Sequence, residues 1–168
     1  MAKASSDTVR EFLRWLGVAA AVLLLDQVSK LAISGSMRYL ETHTITGFFN
    51  LVLVYNTGAA FSLFADAPGW QRGLFIAIGL VASAVIVVLL RRHAADRRFC
   101  FALSLILGGA IGNVCDRVLL GHVVDFIQLH AGGYYWPAFN VADSAISCGA
   151  ALLIWDGLFG GAHRKAAP

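Results

Sequence analysis

Of the 168 residues, 58% are apolar and another 17 are glycine, while only 14% are charged, against about 25% in an ordinary soluble domain. Such a chain cannot cover its own surface with polar groups, which excludes a soluble enzyme, a disordered tail and a disulfide-stapled secreted module, and makes the bilayer its solvent. The formal net charge of +3 is then a matter of membrane topology, not of nucleic-acid binding.

A helix needs about 20 apolar residues to cross a hydrocarbon core about 30 Å thick, and four windows meet or approach that length: 12–34, 70–90, 99–120 and 138–159. The first, led by Lys3 and Arg10, has the outline of a cleaved signal peptide. It runs on, however, into Asp26-Gln27-Val28-Ser29-Lys30, a charged pair at helical spacing that is unlike the short neutral stretch before a cleavage site. Next, 45–55 is rich in Val, Ile, Phe and Tyr and ends at Asn56-Thr57-Gly58, which reads as one or two short strands and a turn. Across 56–69, Gly58, Ala59 and Ala60 with Phe61 and Phe64 make a flexible segment with apolar tips, a candidate gate over a site. Within the second window the stretch 73–90 carries no charge, whereas the third holds Asp116 and Arg117 and the fourth Asp143 and Asp156. Trp70 and Tyr134-Tyr135-Trp136 stand where an aromatic belt at the outer interface belongs. The expected fold is a membrane all-α protein: four transmembrane helices in a single domain over 1–168, with a small β-rich segment resting on the outer surface.

Orientation follows from Lys and Arg, which concentrate in short cytoplasmic loops. Lys3, Arg10 and Arg14 lead the first span, Arg91, Arg92, Arg97 and Arg98 fill the turn between the second and third, and Arg164 and Lys165 close the chain. Both termini are expected in the cytoplasm, leaving 35–69 and 121–137 outside. Cys100, Cys115 and Cys148 read as small buried hydrophobes, since their depths along the spans differ by more than a disulfide tolerates.

Ionisable groups inside spans are expensive and mark function by default. At ~1.5 Å per residue, Asp26, Lys30, Asn113, Asp116 and Arg117 lie ~21–27 Å from the cytoplasmic ends of their helices, and Asp143 about 6–8 Å below the outer surface. All fall in the outer half of the membrane, and Asp125, just past the third span, can fold back over the same zone. Asp26 with Lys30, and Asn113 with Arg117, are four apart and share a helix face, as do Asn140, Asp143 and Ser144. Gly108 and Gly112 allow another helix to approach closely, and Asp156 is interfacial at the opposite end. Lys30 and Arg117 can neutralise Asp26 and Asp116 locally, whereas Asp125 and Asp143 have no Lys or Arg within four residues. Brought together, those two carboxylates would share a proton, the state in which an aspartic protease activates water. Spacing alone does not show that they meet, and it leaves Asp26–Lys30 open between an orienting ion pair and a direct role in chemistry.

Five motifs in order resemble the bacterial lipoprotein signal peptidase family, signal peptidase II. They are the Asp26–Lys30 box; Asn56-Thr57-Gly58-Ala59-Ala60-Phe61-Ser62; Gly108-Gly109-Ala110-Ile111-Gly112-Asn113 with Asp116-Arg117; Val123-Val124-Asp125-Phe126; and Phe139-Asn140-Val141-Ala142-Asp143-Ser144. Cys115 and Val141 depart from the side chains common at their positions and disturb no catalytic slot. The resemblance implies an aspartyl endopeptidase of the bacterial inner membrane, its site facing outward, that cleaves prolipoproteins before the diacylglyceryl-modified cysteine. It implies Asp125 and Asp143 as catalytic residues, with Asn56, Gly58, Asn113, Arg117, Asn140, Asp26 and Lys30 in support. It implies no cofactor or metal and no nucleic-acid partner; membrane lipids surround the site, and peptide-type inhibitors are possible ligands of the dyad. Two rival functions remain. A small proton-coupled transporter would spread its ionisable groups through the depth and often carry a repeat. A structural membrane assembly factor would leave Asp125 and Asp143 as solvated or capping carboxylates.

Overall fold

The computed structural model describes residues 2–58 and 69–159, with side chains from Thr8 onward. In chain order these form α1 (Ala2–Ser36), β1 (Thr42–Thr46), β2 (Phe49–Asn56), α2 (Trp70–Arg92), α3 (Arg97–Leu119), β3 (Val123–Ala131), β4 (Tyr134–Tyr135) and α4 (Val141–Phe159). The four helices are long and apolar enough to cross a membrane. Their Val and Ile content, a handicap for a helix in water, is no obstacle in lipid, where backbone groups must be satisfied within the segment. α1 starts well before residue 12 because nothing in 2–11 breaks a helix; its membrane-capable stretch begins at Thr8. α4 starts at Val141, not 138, because Pro137 precedes it and Asn140 caps it.

α3 is the spine of the bundle. It packs on α1, α2 and α4, and glycines set the distance. A Cβ on Gly108 would lie 2.5 Å from the Ala19 carbonyl oxygen of α1, and one on Gly109 would lie 2.4 Å from the Ala142 carbonyl oxygen of α4. Gly149 of α4 meets the Ala102 carbonyl in the same way, whereas Gly79 of α2 makes room for the Val114 side chain. Small residues at these crossings admit close backbone approach, the main source of helix association where lipid removes the hydrophobic drive. At the end away from the sheet, Trp15, Ala19, Ile86, Leu90, Cys100, Leu103 and Leu107 form a buried apolar cluster. The Trp15 indole donates to the Ala94 carbonyl at 2.9 Å, tying α1 to the α2–α3 turn. The outward faces expose Leu24, Leu31, Val81, Ile154 and Leu158, as suits lipid.

The strands make one antiparallel sheet of order β1-β2-β3-β4. The expectation for 45–55 is met by β1 and β2. Segment 121–137, read only as an external stretch ending in aromatics, also contributes strands, so Asp125 stands on β3 opposite Val54, not on a loop folded back. The hydrophobic alternation that would have revealed β3 is masked because Val123, Val124, Asp125 and Phe126 are all buried. Trp70, Tyr134, Tyr135 and Trp136 are exposed, in keeping with an interfacial belt. Of the cysteines only Cys100 is fully buried; Cys148 is exposed, a correction that follows from α4 presenting most of its surface outward.

The glycine crossings yield a stability prediction. Gly109→Ala must displace α4 and is expected to lower the thermal midpoint in detergent, at an overpacking cost of about 1–3 kcal/mol. Gly17→Ala, with nothing within 4 Å of the added methyl, is expected to leave the midpoint unchanged or raise it.

Candidate active site

The polar residues scattered through the sequence converge between the sheet and the adjoining ends of α1, α3 and α4. At the base, the Lys30 ammonium lies 2.8 Å from Asp26 Oδ2 and 2.9 Å from Asp116 Oδ2, and all three residues are at most 3% exposed. Lys30 thus neutralises Asp116 across the α1–α3 interface, and the expected local pairing with Arg117 does not form. Adjacent residues on a helix point about 100° apart, which carries the Arg117 side chain away from Asp116. Gln27 joins the pair, its amide donating to Asp116 Oδ1 at 2.9 Å and to Asp26 Oδ2 at 3.1 Å. Gly112 leaves the room this requires: a Cβ there would lie 2.5 Å from the Asp26 carboxylate.

Above the base sits a layer of asparagines. Lys30 donates to Asn113 Oδ1 at 3.1 Å, which fixes the amide so that Asn113 Nδ2 donates to Asp143 Oδ1 at 2.7 Å. Asn140, fully buried, is not on the helical face shared by Asp143 and Ser144 but caps α4. Its Oδ1 accepts from the Asp143 N–H at 2.9 Å while its own N–H donates to Asp143 Oδ2 at 3.3 Å, a reciprocal capping arrangement. That leaves Asn140 Nδ2 to donate to Asp125 Oδ1 at 2.7 Å. One residue therefore holds both aspartates.

The second oxygen of Asp125 accepts from Asn56 Nδ2 at 3.0 Å. Asn56 in turn accepts from the Gly58 N–H at 2.9 Å, an Asx-type turn, and Arg117 closes the ring by donating to the Gly58 carbonyl at 2.8 Å. Arg117 also donates to the Asn113 carbonyl at 3.2 Å and lies 5.1 Å from the centre of the Phe75 ring. All nine residues singled out as site residues belong to this assembly; Gln27 and Asp116, present in the motifs but given no site role there, belong to it too. Most of the candidate gate, including Ala59, Ala60, Phe61 and Phe64, lies outside the described residues.

Asp125, Asp143, Asn56, Asn113 and Arg117 face a cleft of about 510 Å³, with Trp136 to Phe139 on one wall and Ser144, Ser147 and Cys148 descending α4 on the other. Asp125 is 2% exposed. Burial pushes its carboxyl up to about 7, the charge of Asp143 adds to the rise, and the bonds from Asn56 and Asn140 and the charge of Lys30 oppose it. Such a group passes a proton near neutral pH.

Fold and site together define a multi-pass membrane protein with a two-carboxylate cleft at one end of a helical bundle. Residues 18–159 match the family model described as signal peptidase (SPase) II. The chain is 59% identical over 146 residues to the lipoprotein signal peptidase of Janthinobacterium sp. (strain Marseille), covering 87% of this chain and 88% of that one. It is 61% identical over 146 residues to the Cupriavidus taiwanensis protein of the same name, covering 87% and 83%. A solved structure described as a bacterial membrane enzyme, determined by the in meso method at 2.3 Å resolution, superposes with a TM-score of 0.82 at 31% identity, covering 92% of this chain and 93% of that one. The chain belongs to the signal peptidase II family, and is a protease of that family.

The raised carboxyl predicts how stability depends on pH. Between its ordinary value of 3.8 and about 7, the folded protein keeps a proton on Asp125 that the unfolded chain has lost. Stability from this group is therefore full below about pH 4 and is lost as pH rises through about 7. Thermal unfolding followed by tryptophan fluorescence is expected to show a lower midpoint at about pH 8 than at about pH 5, and Asp125→Asn is expected to shrink that difference.

Proposed function

We propose that this protein is an intramembrane aspartyl endopeptidase that removes signal peptides from prolipoproteins by cleaving before the diacylglyceryl-modified cysteine. The observation that carries the reading is that Asp125 and Asp143 face one cleft and are held by one residue, Asn140. Two carboxylates so placed share one proton. The ionised member takes a proton from a water held between them as its oxygen attacks the scissile carbonyl, while the protonated member donates to the carbonyl oxygen; the proton taken from water then passes to the departing amine, and as the C–N bond breaks the intermediate returns a hydroxyl proton to the second carboxylate. Asn56, Asn113 and Asn140 supply donors that fix the carboxylate oxygens, and Arg117 with Gly58 fixes Asn56. Family membership, and the name lipoprotein signal peptidase carried by the relatives, support the substrate class.

The cleft adjoins the strands and the aromatic belt, which supports a site at the outer surface of the bacterial inner membrane with both termini in the cytoplasm. The substrate's signal helix must unwind there to offer an extended peptide bond, against a cost of several kcal/mol per unsatisfied backbone group in lipid. Acyl chains on the substrate cysteine, each buried CH₂ contributing about 0.8 kcal/mol of anchoring, set the height at which that bond meets the carboxylates. Peptide-type inhibitors that occupy the cleft between the two aspartates are expected ligands. A transporter is disfavoured because the cluster sits at one end of the bundle and does not run through it.

Purified protein given a diacylglyceryl-modified precursor is expected to release the signal peptide. Asp125→Asn and Asp143→Asn should each abolish cleavage without unfolding the protein, and the double variant should cost little more than either alone. The same precursor with an unmodified cysteine should be cut at least about a hundredfold more slowly, a difference of about 2.7 kcal/mol. Substantial cleavage by either single variant would refute the dyad.

Topology is tested with a single cysteine at Ala95, exposed in the α2–α3 turn beside the buried Ala94, on a cysteine-free background. Labelling is expected only after the membrane is permeabilised; labelling of intact cells would reverse the orientation.

A further inference from the structure

Two contacts of the buried ion cluster reach beyond the helices that carry it. Asp26 Oδ1, on α1, accepts the Ala142 N–H at 2.8 Å, and Asp116 Oδ2, on α3, accepts the Val124 N–H at 3.1 Å. Ala142 immediately precedes Asp143, and Val124 immediately precedes Asp125. Each carboxylate that flanks Lys30 therefore grips the backbone one residue ahead of one of the two aspartates. Lys30, bonded to both carboxylates and to Asn113, sets the distance between the two grips.

We propose that Asp26, Lys30 and Asp116 form a template that fixes the separation of the two aspartates through the backbone amides of Ala142 and Val124, and that Asp116 is a positioning residue for Asp125. The inference rests on the aspartyl reading given above. A template acts through reach, whereas an ion triplet that only balances buried charge acts through charge. The surroundings favour reach. Two carboxylates face a single ammonium, so charge balance alone would be served by one of them, and the second is left to answer to the β3 amide. Side-chain oxygens of both acids are fully engaged: Gln27 and Val124 share Asp116 with Lys30, and Gln27 and Ala142 share Asp26 with it. Among the described residues, the other charged or titratable groups near the cluster are Arg117 from α3, the two aspartates themselves, His122 after α3, which interacts electrostatically with Asp116, and Arg72 of α2, which donates to the Arg117 and Val118 carbonyls; α2 also contributes the Phe75 ring beside Arg117.

Two substitutions at one position separate reach from charge. Asp116→Asn keeps an oxygen at the same distance for the Val124 N–H and loses the charge. Asp116→Glu keeps the charge and lengthens the side chain by one methylene. Cleavage of the diacylglyceryl-modified precursor is measured as kcat and KM across pH, per folded enzyme recovered from gel filtration. The template expects Asp116→Asn to lower kcat less than tenfold, with the width of the pH profile kept. It expects Asp116→Glu to lower kcat about a hundredfold with KM within threefold, and to narrow the profile, because carboxylates moved apart couple less and their two apparent pKa values approach each other. A role in charge balance or folding alone predicts the opposite order, or a loss of yield with an unmoved profile. Either result overturns the template, as does Asp116→Glu matching or exceeding Asp116→Asn in kcat. Should an Asp116 variant not accumulate, Asp26→Asn and Asp26→Glu repeat the comparison on the Ala142 side with the same expected order. The wild-type and Asp125→Asn reactions run in parallel. If the wild type does not cleave, the aspartyl reading fails; if it cleaves while the order is reversed, only the template fails.

Discussion

A lysine ammonium almost wholly removed from solvent, between two carboxylates at 2.8 and 2.9 Å, is the constraint around which this molecule is organised. A charge left alone in such a place would cost several kcal/mol after relaxation. Lys30 therefore obliges α1 and α3 to meet with their polar faces in register. That contact needs the backbones close, which is why the crossing is made at Gly108 and Gly112; the missing side chain of Gly112 is the space the Asp26 carboxylate occupies. Packing and electrostatics are here one requirement, since a larger residue at 112 would displace the ion pair.

From that contact the order propagates by hydrogen bonds with assigned directions. Lys30 can only donate, so it compels Asn113 to present its oxygen downward and its amide group upward to Asp143. Asn140 has the same kind of two-sidedness: its oxygen is committed to the first turn of α4, so its amide group is left for Asp125. Neither amide can flip without losing a bond at each end. With both amides committed at each end, such a network holds a single arrangement in an apolar medium, where an unpaired polar group is most expensive.

Much of this was legible because lipid makes polar residues conspicuous. In a chain of this composition, Asp26, Lys30, Asn113, Asp116, Arg117 and Asp143 stand out from their spans, and counting 1.5 Å per residue already brings them to one depth. Partners were less legible than depth. Asp116 lies next to Arg117 in sequence but pairs with Lys30, 86 positions away in the chain by the residue numbers, because side chains adjacent on a helix diverge while those on facing helices converge. Asn140 and Asp143 suit a shared helix face by spacing, yet α4 begins only at Val141, after Pro137, which makes Asn140 a cap. The strand that carries Asp125 was hidden for a further reason: alternation marks a strand only when one face is solvated, and residues 123–126 are buried on both.

The two aspartates reach the cleft on different kinds of backbone, one on β3 and one in the first turn of α4, and this difference bears on how two carboxylates can be kept together in a membrane protein. Two carboxylates on facing transmembrane helices would depend on helix tilt and rotation, which respond to bilayer thickness. A strand and a helix start joined through residues 132–140 are instead referenced to each other locally. Phe139 bonds back to Ile127 in both directions, its N–H donating at 3.0 Å and its carbonyl accepting at 2.8 Å, and Asn140 follows at once. Tilting of α4 as a body is therefore opposed at its first residue by the sheet, and changes of bilayer thickness must be absorbed lower down, along the exposed faces of the helices. These cross-element bonds lie at the sheet end of the bundle, and the cleft is placed there.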